Sequence, residues 1–434
     1  MAGLALVAIT LASALSACGK GSNTGGTVNP VPSNSSGVPL SQESLKTISQ
    51  YTGVQPGKAT GTPIRVGFVN TESGAAASPE STTVMEEAVR TVNEQLGGVR
   101  GHPIELRKCI PADAAQTVRC AQDFAADPAT VAVLQGSLDT DLQSFHTTLA
   151  PKVPLLGGLP LSAADAQAAN AYYLAGGQYS LLGIVSYARD FVKAKKVALI
   201  AAGGFAATEV AINTLKGAFQ AFGITVTVGT FPYDSNDLTQ AVTASRAQEA
   251  DLMIPAVTTP QQCVGLSNAV RTLNVDTPIL AFTGCLGDEV VKSLGDYPRW
   301  QFLAFTISAE ADAPDDLTAF QVRAFNEWFR PLDARGVTRN NGVQMFQLVL
   351  TLTKLLAATP GDAPTAATAA AQMKAFGGPV FLGVPRLAFG ALPGLPAIGA
   401  LSSRVYVYLG NGSWGDTTGG KWIEPPALPQ QGRR

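Results

Sequence analysis

The five cysteines are the residues of this 434-residue chain whose type and spacing most directly suggest chemistry. Cys18 stands apart near the N-terminus, and Cys109, Cys120, Cys263 and Cys285 form an even set in the body. The spacing of this set predicts two local disulfide bonds, Cys109–Cys120 and Cys263–Cys285, each contributing on the order of 3 kcal/mol in an oxidising compartment. No pair has the C-x-x-C spacing that zinc sites favour, so a metal is disfavoured and four buried free thiols are the alternative.

Catalysis has few candidate residues, because the chain contains only two histidines. His102 lies in a Gly-His-Pro sequence typical of a surface turn, and His146 lies in a predicted helix, where packing or surface exposure is expected. The sequence contains no G-x-S-x-G, P-loop or H-E-x-x-H motif. We therefore expect a protein that is not an enzyme, with a hydrolase built on a Ser-Lys or paired-carboxylate site as a remote alternative.

The residues around Cys18 predict a lipoprotein signal. Residues 2–17 form an uncharged apolar run, about 24 Å long as a helix and too short for a hydrocarbon core of about 30 Å. Leu15-Ser16-Ala17-Cys18 resembles the lipobox of bacterial lipoproteins, which implies cleavage before Cys18 and lipidation of its sulfur. Residues 1–17 are thus a predicted signal peptide, with a buried N-terminal helix as the alternative. No Lys or Arg precedes the run, which leaves open a start further upstream.

Residues 18–61 are predicted to be the lipidated cysteine and a flexible tether. The stretch is rich in Gly, Ser, Asn, Thr and Pro, and has almost no large apolar side chain before Leu40. Such a composition buries too little surface to offset the entropy of ordering the chain. A helical patch near Ser41–Tyr51 is compatible with the pattern.

The composition of the remaining body predicts a large globular protein. Roughly 360 residues remain after the tether, about twice a typical domain, which predicts two lobes. Apolar residues make up 46% of the chain and supply ample core. A net charge of −2 argues against a nucleic-acid partner. No later run of eighteen apolar residues occurs, so the body is not predicted to cross a membrane.

Short apolar segments alternate with amphipathic segments from residue 64 onward, which predicts parallel sheets covered by helices on both faces. The first series of predicted elements is Ile64–Val69, Thr82–Leu96, Ile104–Lys108, Ala114–Ala126, Val131–Leu134, Asp141–Leu149 and Pro154–Leu156. The second series is Tyr179–Val192, Val197–Ile200, Thr208–Phe222, Thr225–Phe231, Leu238–Gln248, Leu252–Pro255, Gln261–Leu273 and Pro278–Phe282. The fold class is therefore α/β, with two doubly wound parallel-sheet lobes.

A series of motifs follows in order along the body: Ile64–Val69, Ser73-Gly74, the turn Gly97–Leu106, Lys152–Gly157, Asn341–Leu348 and Gly410–Trp414. Together they resemble the leucine/isoleucine/valine-binding proteins of ABC importers over about residues 62–415. The resemblance implies the class I periplasmic binding fold, with a three-stranded hinge that crosses near residues 175, 306 and 402. It implies lobe 1 at residues 62–175 and 306–401, and lobe 2 at residues 176–305 and 402–424.

In such a fold, the loops after the strands are expected to recognise the ligand, because ligands of open α/β sheets bind beyond the carboxyl ends of the strands. The expected loops are 70–75, 135–141, 157–162, 202–207, 256–260 and 283–286. The residues expected to contact ligand are Ser73, Ser137, Leu138, Asp139, Leu161, Ser162, Phe205, Thr258 and Thr283. The backbone amides and hydroxyls of Ser73, Ser137 and Ser162 are expected to hold a carboxylate, since helix N-termini favour an anion, and N-capping is the alternative for each serine. The resemblance implies that Phe205 covers the ligand, with core packing as the alternative.

One departure from the family concerns the ligand's charge. The resemblance implies an acidic residue after the late second-lobe strand, but Thr283–Gly287 has none, and Asp288 and Glu289 fall later. A buried ammonium left unpaired costs several kcal/mol. A branched-chain amino acid is therefore disfavoured unless Asp139 or Glu72 supplies the carboxylate.

The sequence thus predicts an extracytoplasmic, lipid-anchored solute-binding protein that captures an amino acid, an amide or a related carboxylate in the cleft between its lobes. Its expected partners are the solute, an ABC permease and the membrane reached through the lipid. We expect a monomer at the outer face of the cytoplasmic membrane or in the periplasm, with no cofactor, metal or nucleic acid. A ligand-sensing lipoprotein of the same fold is the alternative.

Overall fold

The computed structural model describes residues 39–73, 77–203, 206–257, 259–307, 315–335, 337, 339–361 and 363–427. These residues form two compact units, here called unit 1 (residues 39–178 and 315–400) and unit 2 (residues 179–307 and 401–427). The predicted signal peptide, Cys18, Phe205 and Thr258 lie outside the described residues. The three-stranded hinge and the exact lobe boundaries stay predictions.

Strands and helices alternate along the chain, and the predicted α/β class is confirmed. The strands are β1 Ile64–Val69, β2 Ile104–Cys109, β3 Thr130–Gln135, β4 Leu155–Gly157, β5 Ala171–Tyr173, β6 Lys196–Gly203, β7 Thr225–Pro232, β8 Leu252–Ala256, β9 Leu280–Phe282, β10 Gln301–Ala304, β11 Arg404–Gly410 and β12 Ser413–Asp416. The helices are α1 Gln42–Thr52, α2 Pro79–Gln95, α3 Ala114–Ala126, α4 Leu142–Leu149, α5 Ala163–Gln167, α6 Gly183–Tyr187, α7 Ala206–Ala221, α8 Thr239–Ala244, α9 Pro260–Thr272, α10 Asp288–Leu294, α11 Asp316–Asp333, α12 Arg339–Ala357 and α13 Ala366–Ala375. Within the described ranges, none of the helices combines the length and apolar character needed to span a membrane.

Unit 1 contains a parallel sheet in the strand order β2-β1-β3-β4-β5. β1 lies inside this sheet, and Val66, Phe68 and Val69 are completely buried. Val66 pairs with Leu106 on one side and with Ala132 on the other. The chain adds β2 on one side of β1 and adds β3, β4 and β5 on the other side, so the strand order switches between β1 and β3. Open α/β sheets bind ligands beyond the strand ends at such a switch point.

Unit 2 contains a parallel sheet in the order β7-β6-β8 and a mixed sheet in the order β12-β11-β10-β9. A bridge between Met253 and Ile279 connects the two sheets. Successive residues of β6 enter opposite cores: Ile200 packs in one cluster with β10, and Leu199 packs in the other with Phe219 of α7. This alternation places helices on both faces of the sheet. The antiparallel edge formed by β11 and β12 lies outside the predicted parallel series.

Both predicted disulfide bonds are confirmed. Cys109–Cys120 joins the end of β2 to α3 in unit 1, and Cys263–Cys285 joins α9 to the turn after β9 in unit 2. Each bond therefore fixes a helix against the end of a strand. None of these four sulfurs is free to act as a thiolate ligand for zinc.

The prediction of a flexible tether as far as residue 61 is wrong for residues 39–61, which fold as part of unit 1. Helix α1 starts after Ser41, whose side chain accepts a hydrogen bond from the backbone N–H of Ser44. The carboxylate of Glu327 on α11 accepts from the backbone N–H and from the hydroxyl of Ser41, each at 2.7 Å. These bonds satisfy donors at the helix start that would otherwise lack a partner.

The buried face of α1 explains why its composition was misleading. Ile48 is completely buried, and the buried Tyr51 hydroxyl lies 2.9 Å from Thr351 Oγ1 on α12. The ammonium group of Lys354, also on α12, lies 4.5 Å from the centre of the Tyr51 ring. Many of the other buried positions of α1 are serine or threonine, so the average composition of residues 18–61 did not reveal a packed helix.

Two helices predicted as continuous are divided in the structure. Residues 179–192 were predicted as one helix, but they form a 3₁₀ segment (Gly177–Leu182), α6 and a π-helical segment (Ala188–Val192). Residues 238–248 divide into α8 and a 3₁₀ turn because Arg246 adopts a φ of 54°, which does not fit a right-handed helix. Apolar periodicity does not distinguish these tighter and wider turns from an α-helix.

Candidate functional site

The loops after β1 and β3 are bonded to each other at the switch point of unit 1. The backbone N–H of Thr71 donates to the carbonyl of Ser137 at 2.6 Å, and the N–H of Gly136 donates to the carbonyl of Val69 at 2.9 Å. These bonds bring the predicted residues Ser73 and Ser137 into neighbouring loops. The end of β1 and the end of β3 therefore present one continuous backbone surface.

Asn70 connects the two loops through its side chain, and it is not among the residues predicted from the sequence. Its buried side chain accepts from the N–H of Ser137 at 2.9 Å and donates to Thr82 Oγ1 on α2 at 3.0 Å. A Cβ at position 136 would lie 2.5 Å from Asn70 Oδ1, so a larger residue there would displace the Asn70 side chain. The signal available in the sequence was a polar residue directly after an apolar strand.

The hydroxyl of Thr71 is a second feature that sequence reasoning missed. Thr71 is 4% exposed, and its Oγ1 has no hydrogen-bond partner among the described residues. A buried hydroxyl without a partner is unfavourable, since it loses its bonds to water and gains none in return. Thr71 therefore places an unused donor and acceptor at the end of β1.

The other predicted residues of these two loops differ in their exposure to solvent. Ser73 and Asp139 are exposed, and Ser137 is half-buried. N-capping accounts for neither serine, because α2 starts after Ser78 and α4 starts after Asp141. The exposed Glu72 and Asp139 give the two loops an acidic character.

Leu138 belongs to the core of unit 1. Its side chain is completely buried in a cluster that includes Val69, Leu142 and Phe145. This packing accounts for an apolar residue at position 138. The proposed site therefore does not include Leu138.

The loop after β4 ends at Ser162, which caps α5. Ser162 Oγ accepts from the N–H of Asp165 at 3.2 Å, and the carboxylate of Asp165 accepts from the N–H of Ser162 at 3.0 Å. This reciprocal pair is a capping box, so capping accounts for Ser162. Leu161 precedes it, with its backbone N–H bonded to Asp165 Oδ2 at 2.8 Å and its side chain 44% exposed.

A buried polar network lies beneath this loop, formed by Gln135, His146, Asp165 and Tyr173 and called here the Asp165 network. Asp165 Oδ1 lies 2.7 Å from His146 Nε2, and it accepts from the Tyr173 hydroxyl at 2.8 Å and from Gln135 Nε2 at 3.3 Å. Burial and the nearby carboxylate hold the pKa of Tyr173 well above its usual value, so its phenol stays protonated. His146 is therefore a buried, hydrogen-bonded residue that joins α4 to this network.

Gly157 at the end of β4 makes room for the Tyr173 ring. A Cβ at position 157 would lie 2.4 Å from a ring carbon of Tyr173, so a larger residue would displace the ring. Packing against Tyr173 thus explains the glycine that ends the motif Lys152–Gly157 in this chain.

In unit 2, Thr283 lies in a 3₁₀ turn directly after β9 and is half-buried. The same turn contains Cys285, which is bonded to Cys263 on α9. The side-chain amide of Gln261, at the start of α9, donates to Glu289 Oε2 at 2.9 Å. Glu289 is therefore already paired and exposed, and Thr283–Gly287 supplies no carboxylate.

A cavity of about 250 Å³ lies against α9 and α10 in unit 2. Its lining includes Asn236, Gln261, Asn268 and Glu289, and it does not include Thr283.

Over the ranges given above, no group of three or more His, Cys, Asp or Glu side chains could hold a metal ion. His102, the other histidine, lies with Nδ1 2.8 Å from the carbonyl of Thr62 and fixes a turn.

Comparisons with known proteins agree with this geometry. A family model described as a periplasmic binding protein matches residues 63–389. The chain is similar in structure to the LivJ branched-chain amino acid transporter substrate binding protein from Streptococcus pneumoniae, solved with isoleucine, at 16% identity and a TM-score of 0.57 over 82% of this chain and 99% of that one.

Two further solved structures extend the similarity. A solute binding protein of an ABC transporter from R. palustris, solved with 4-hydroxybenzoate, has 15% identity and a TM-score of 0.57 over 85% of this chain and 99% of that one. An ABC transporter substrate-binding protein from Sphaerobacter thermophilus has 14% identity and a TM-score of 0.62 over 82% and 96%. No curated protein matches the chain in sequence. At these identities the structures establish the fold, and they confirm the one that the sequence resemblance implied.

Proposed function

The chain belongs to the periplasmic binding protein family, and from this premise we propose that it captures a small solute outside the cytoplasm for an ABC permease. The observation that carries the proposal is the family match over residues 63–389. The family is one of solute-binding proteins rather than enzymes. The joined loops after β1 and β3 in unit 1 support the proposal, because they present Ser73, Ser137 and Asp139 where a parallel sheet binds its ligand.

We propose a small polar solute, namely an amino acid, an amide or a related carboxylate. Two relatives of this fold hold different solutes, isoleucine in one and 4-hydroxybenzoate in the other, so the fold alone does not determine the ligand. In unit 1 the exposed Glu72 and Asp139 favour a ligand that carries a positive group. Thr283 in unit 2 offers a hydroxyl without a neighbouring carboxylate. Phe205 and Thr258 complete the proposed contacts from their place in the sequence.

We also propose export and lipid anchoring through Cys18, on the strength of Leu15-Ser16-Ala17-Cys18. The two disulfide bonds support an oxidising compartment. Because residues 39–61 fold as part of unit 1, the proposed tether is restricted to residues before position 39. A Cys18→Ala variant expressed in a bacterium should lose incorporation of labelled fatty acid, and retained label would contradict the anchor.

A thermal-shift screen of the purified chain tests the proposed function. The panel contains the twenty L-amino acids, their amides, short carboxylates and aromatic acids. A ligand at 100 times its dissociation constant adds roughly 2.7 kcal/mol to the free energy of unfolding by mass action, which gives a clear rise in Tm. Asp139→Ala should weaken the response, whereas Gln50→Ala, at an exposed position of α1, should not. A panel in which no compound raises Tm would contradict a solute-binding role.

A further inference from the structure

The carboxylate of Asp165 is completely buried in unit 1, and its environment explains how it is kept there. A buried charge is unfavourable unless hydrogen bonds replace its water. Oδ1 contacts the three other side chains of the Asp165 network. Oδ2 accepts from the backbone N–H groups of Leu161 and Ser162, at 2.8 and 3.0 Å. A carboxylate can only accept, so every neighbour must present a hydrogen to it.

Helix capping accounts for the bond from the N–H of Ser162 but not for the rest of this arrangement. A capping box needs the Ser162 hydroxyl and a reciprocal side chain at the third helical position, and such a side chain can remain exposed to water. Here the side chain is buried and also bonded to Gln135, the last residue of β3, and to Tyr173, the last residue of β5. The network therefore ties the loop after β4 to the ends of the neighbouring strands.

The backbone at the other end of this loop is also held. The N–H of Leu174 donates to the carbonyl of Gly157 at 3.0 Å, and the N–H of Ala175 donates to the carbonyl of Gly158 at 3.1 Å. Residues 158–162 are thus fixed at one end by these backbone bonds and at the other end by Asp165. No backbone-to-backbone bond of this kind holds the N–H groups of Leu161 and Ser162 among the described residues.

We propose that Asp165 is a positioning residue, which fixes the backbone of Leu161 and Ser162 in the conformation that binds the solute without itself touching the solute. The effect on affinity rests on the proposed function, since residues 158–162 form one of the loops expected to contact the solute. The fixing of the backbone is a property of unit 1 alone. The two parts can therefore be tested separately.

Hydrogen exchange of single backbone amides, measured by NMR on the purified full chain without solute, tests the first part. Asp165→Ala removes both accepting oxygens, so the N–H groups of Leu161 and Ser162 lose their partner. We expect the amides of Leu161 and Ser162 to exchange at least tenfold faster, while those of Leu174 and Ala175 change less than threefold. Ser162→Ala is the control for loss of the Ser162 hydroxyl, which accepts from the N–H of Asp165 at 3.2 Å and lies 3.3 Å from Asp165 Oδ2, and it keeps both backbone bonds to Asp165.

The outcomes distinguish positioning from a general effect on stability. If Asp165→Ala accelerates all four amides equally, Asp165 contributes only to overall stability and the inference is overturned. Unchanged exchange at Leu161 and Ser162 also overturns it. Where Asp165→Ala does not fold, Tyr173→Phe replaces it, because loss of one bond to Oδ1 should accelerate the same two amides to a smaller extent.

Affinity is measured separately, as the Tm shift of the folded Asp165→Ala chain with L-isoleucine and with 4-hydroxybenzoate, and with any panel compound that shifts the unaltered chain. A tenfold or greater loss of affinity supports the second part, and an unchanged affinity overturns it. If no compound shifts the unaltered chain, the proposed function fails. The exchange result then still decides whether Asp165 fixes the loop.

Discussion

Replacement of Tyr51 tests whether α1 is part of the folded body. The ring is buried against α12 and makes an edge-on contact with Phe381, with ring centroids 5.3 Å apart. Removing a buried aromatic side chain lowers the free energy of unfolding by roughly 3–5 kcal/mol, so we expect a loss in this range for Tyr51→Ala. Tyr51→Phe keeps the ring and loses the bond to Thr351, which should cost about 1–2 kcal/mol.

The assay is equilibrium unfolding in urea, followed by circular dichroism. Gln50→Ala is the matched control, because Gln50 is exposed on the same helix and its replacement should change stability by less than about 0.5 kcal/mol. Limited proteolysis between residues 53 and 62 provides a second reading, since an undocked α1 exposes this segment. If Tyr51→Ala is as stable as Gln50→Ala, α1 is not docked and the flexible tether extends to residue 61.

The pH dependence of the same variants gives a sharper form of this test. Burial raises the pKa of Tyr51 from 10.0 to about 12, although the bond to Thr351 opposes the shift. Since folding favours the protonated phenol, this contribution is complete well below pH 10 and is lost as the pH rises from 10 towards 12. The unaltered chain should lose about 1 kcal/mol relative to Tyr51→Phe between pH 9 and pH 11. A constant difference across this range would refute the buried phenol.

Three further predictions concern other parts of the fold. The double variant Cys263→Ser/Cys285→Ser should lose on the order of 3 kcal/mol in urea unfolding, because the bond closes a short loop; equal stability with and without the bond would contradict this. Thr71→Val should leave stability unchanged or raise it by up to about 1 kcal/mol, because the hydroxyl has no partner among the residues that the structure describes, and a clear loss would show that it has one. Gly157→Ala should lower Tm, at a cost of roughly 1–3 kcal/mol, because the new Cβ would overlap the ring of Tyr173; an unchanged Tm would mean that the ring moves at no cost.

The regular part of the fold could be predicted because its signals are local. Helix α3 has the bounds predicted from the sequence, and strand β1 does too, since apolar periodicity and turn residues mark both. The two disulfide bonds followed from spacing alone. Helix α1 was missed as a packed element because its stability comes from contacts far along the chain, such as those with Glu327 and Thr351.

The site could be predicted only at the level of its loops. Sequence reasoning placed Ser137 and Leu138 in the loop after β3, but it could not show that one is half-buried at the switch point and the other completely buried. It treated His146 as a packing or surface residue, because its partner Asp165 lies 19 positions away and carries no motif of its own. Networks of this kind depend on three-dimensional proximity, which hydrophobic patterning does not encode.

The central claim is that the chain binds a solute and releases it unchanged. Isothermal titration with the compound that gives the largest Tm shift, followed by mass spectrometry of the recovered compound, tests this claim most directly. We expect one saturable site per chain and full recovery of the same compound. Conversion of the compound into a product, or the absence of saturable binding for every compound of the panel, would contradict it.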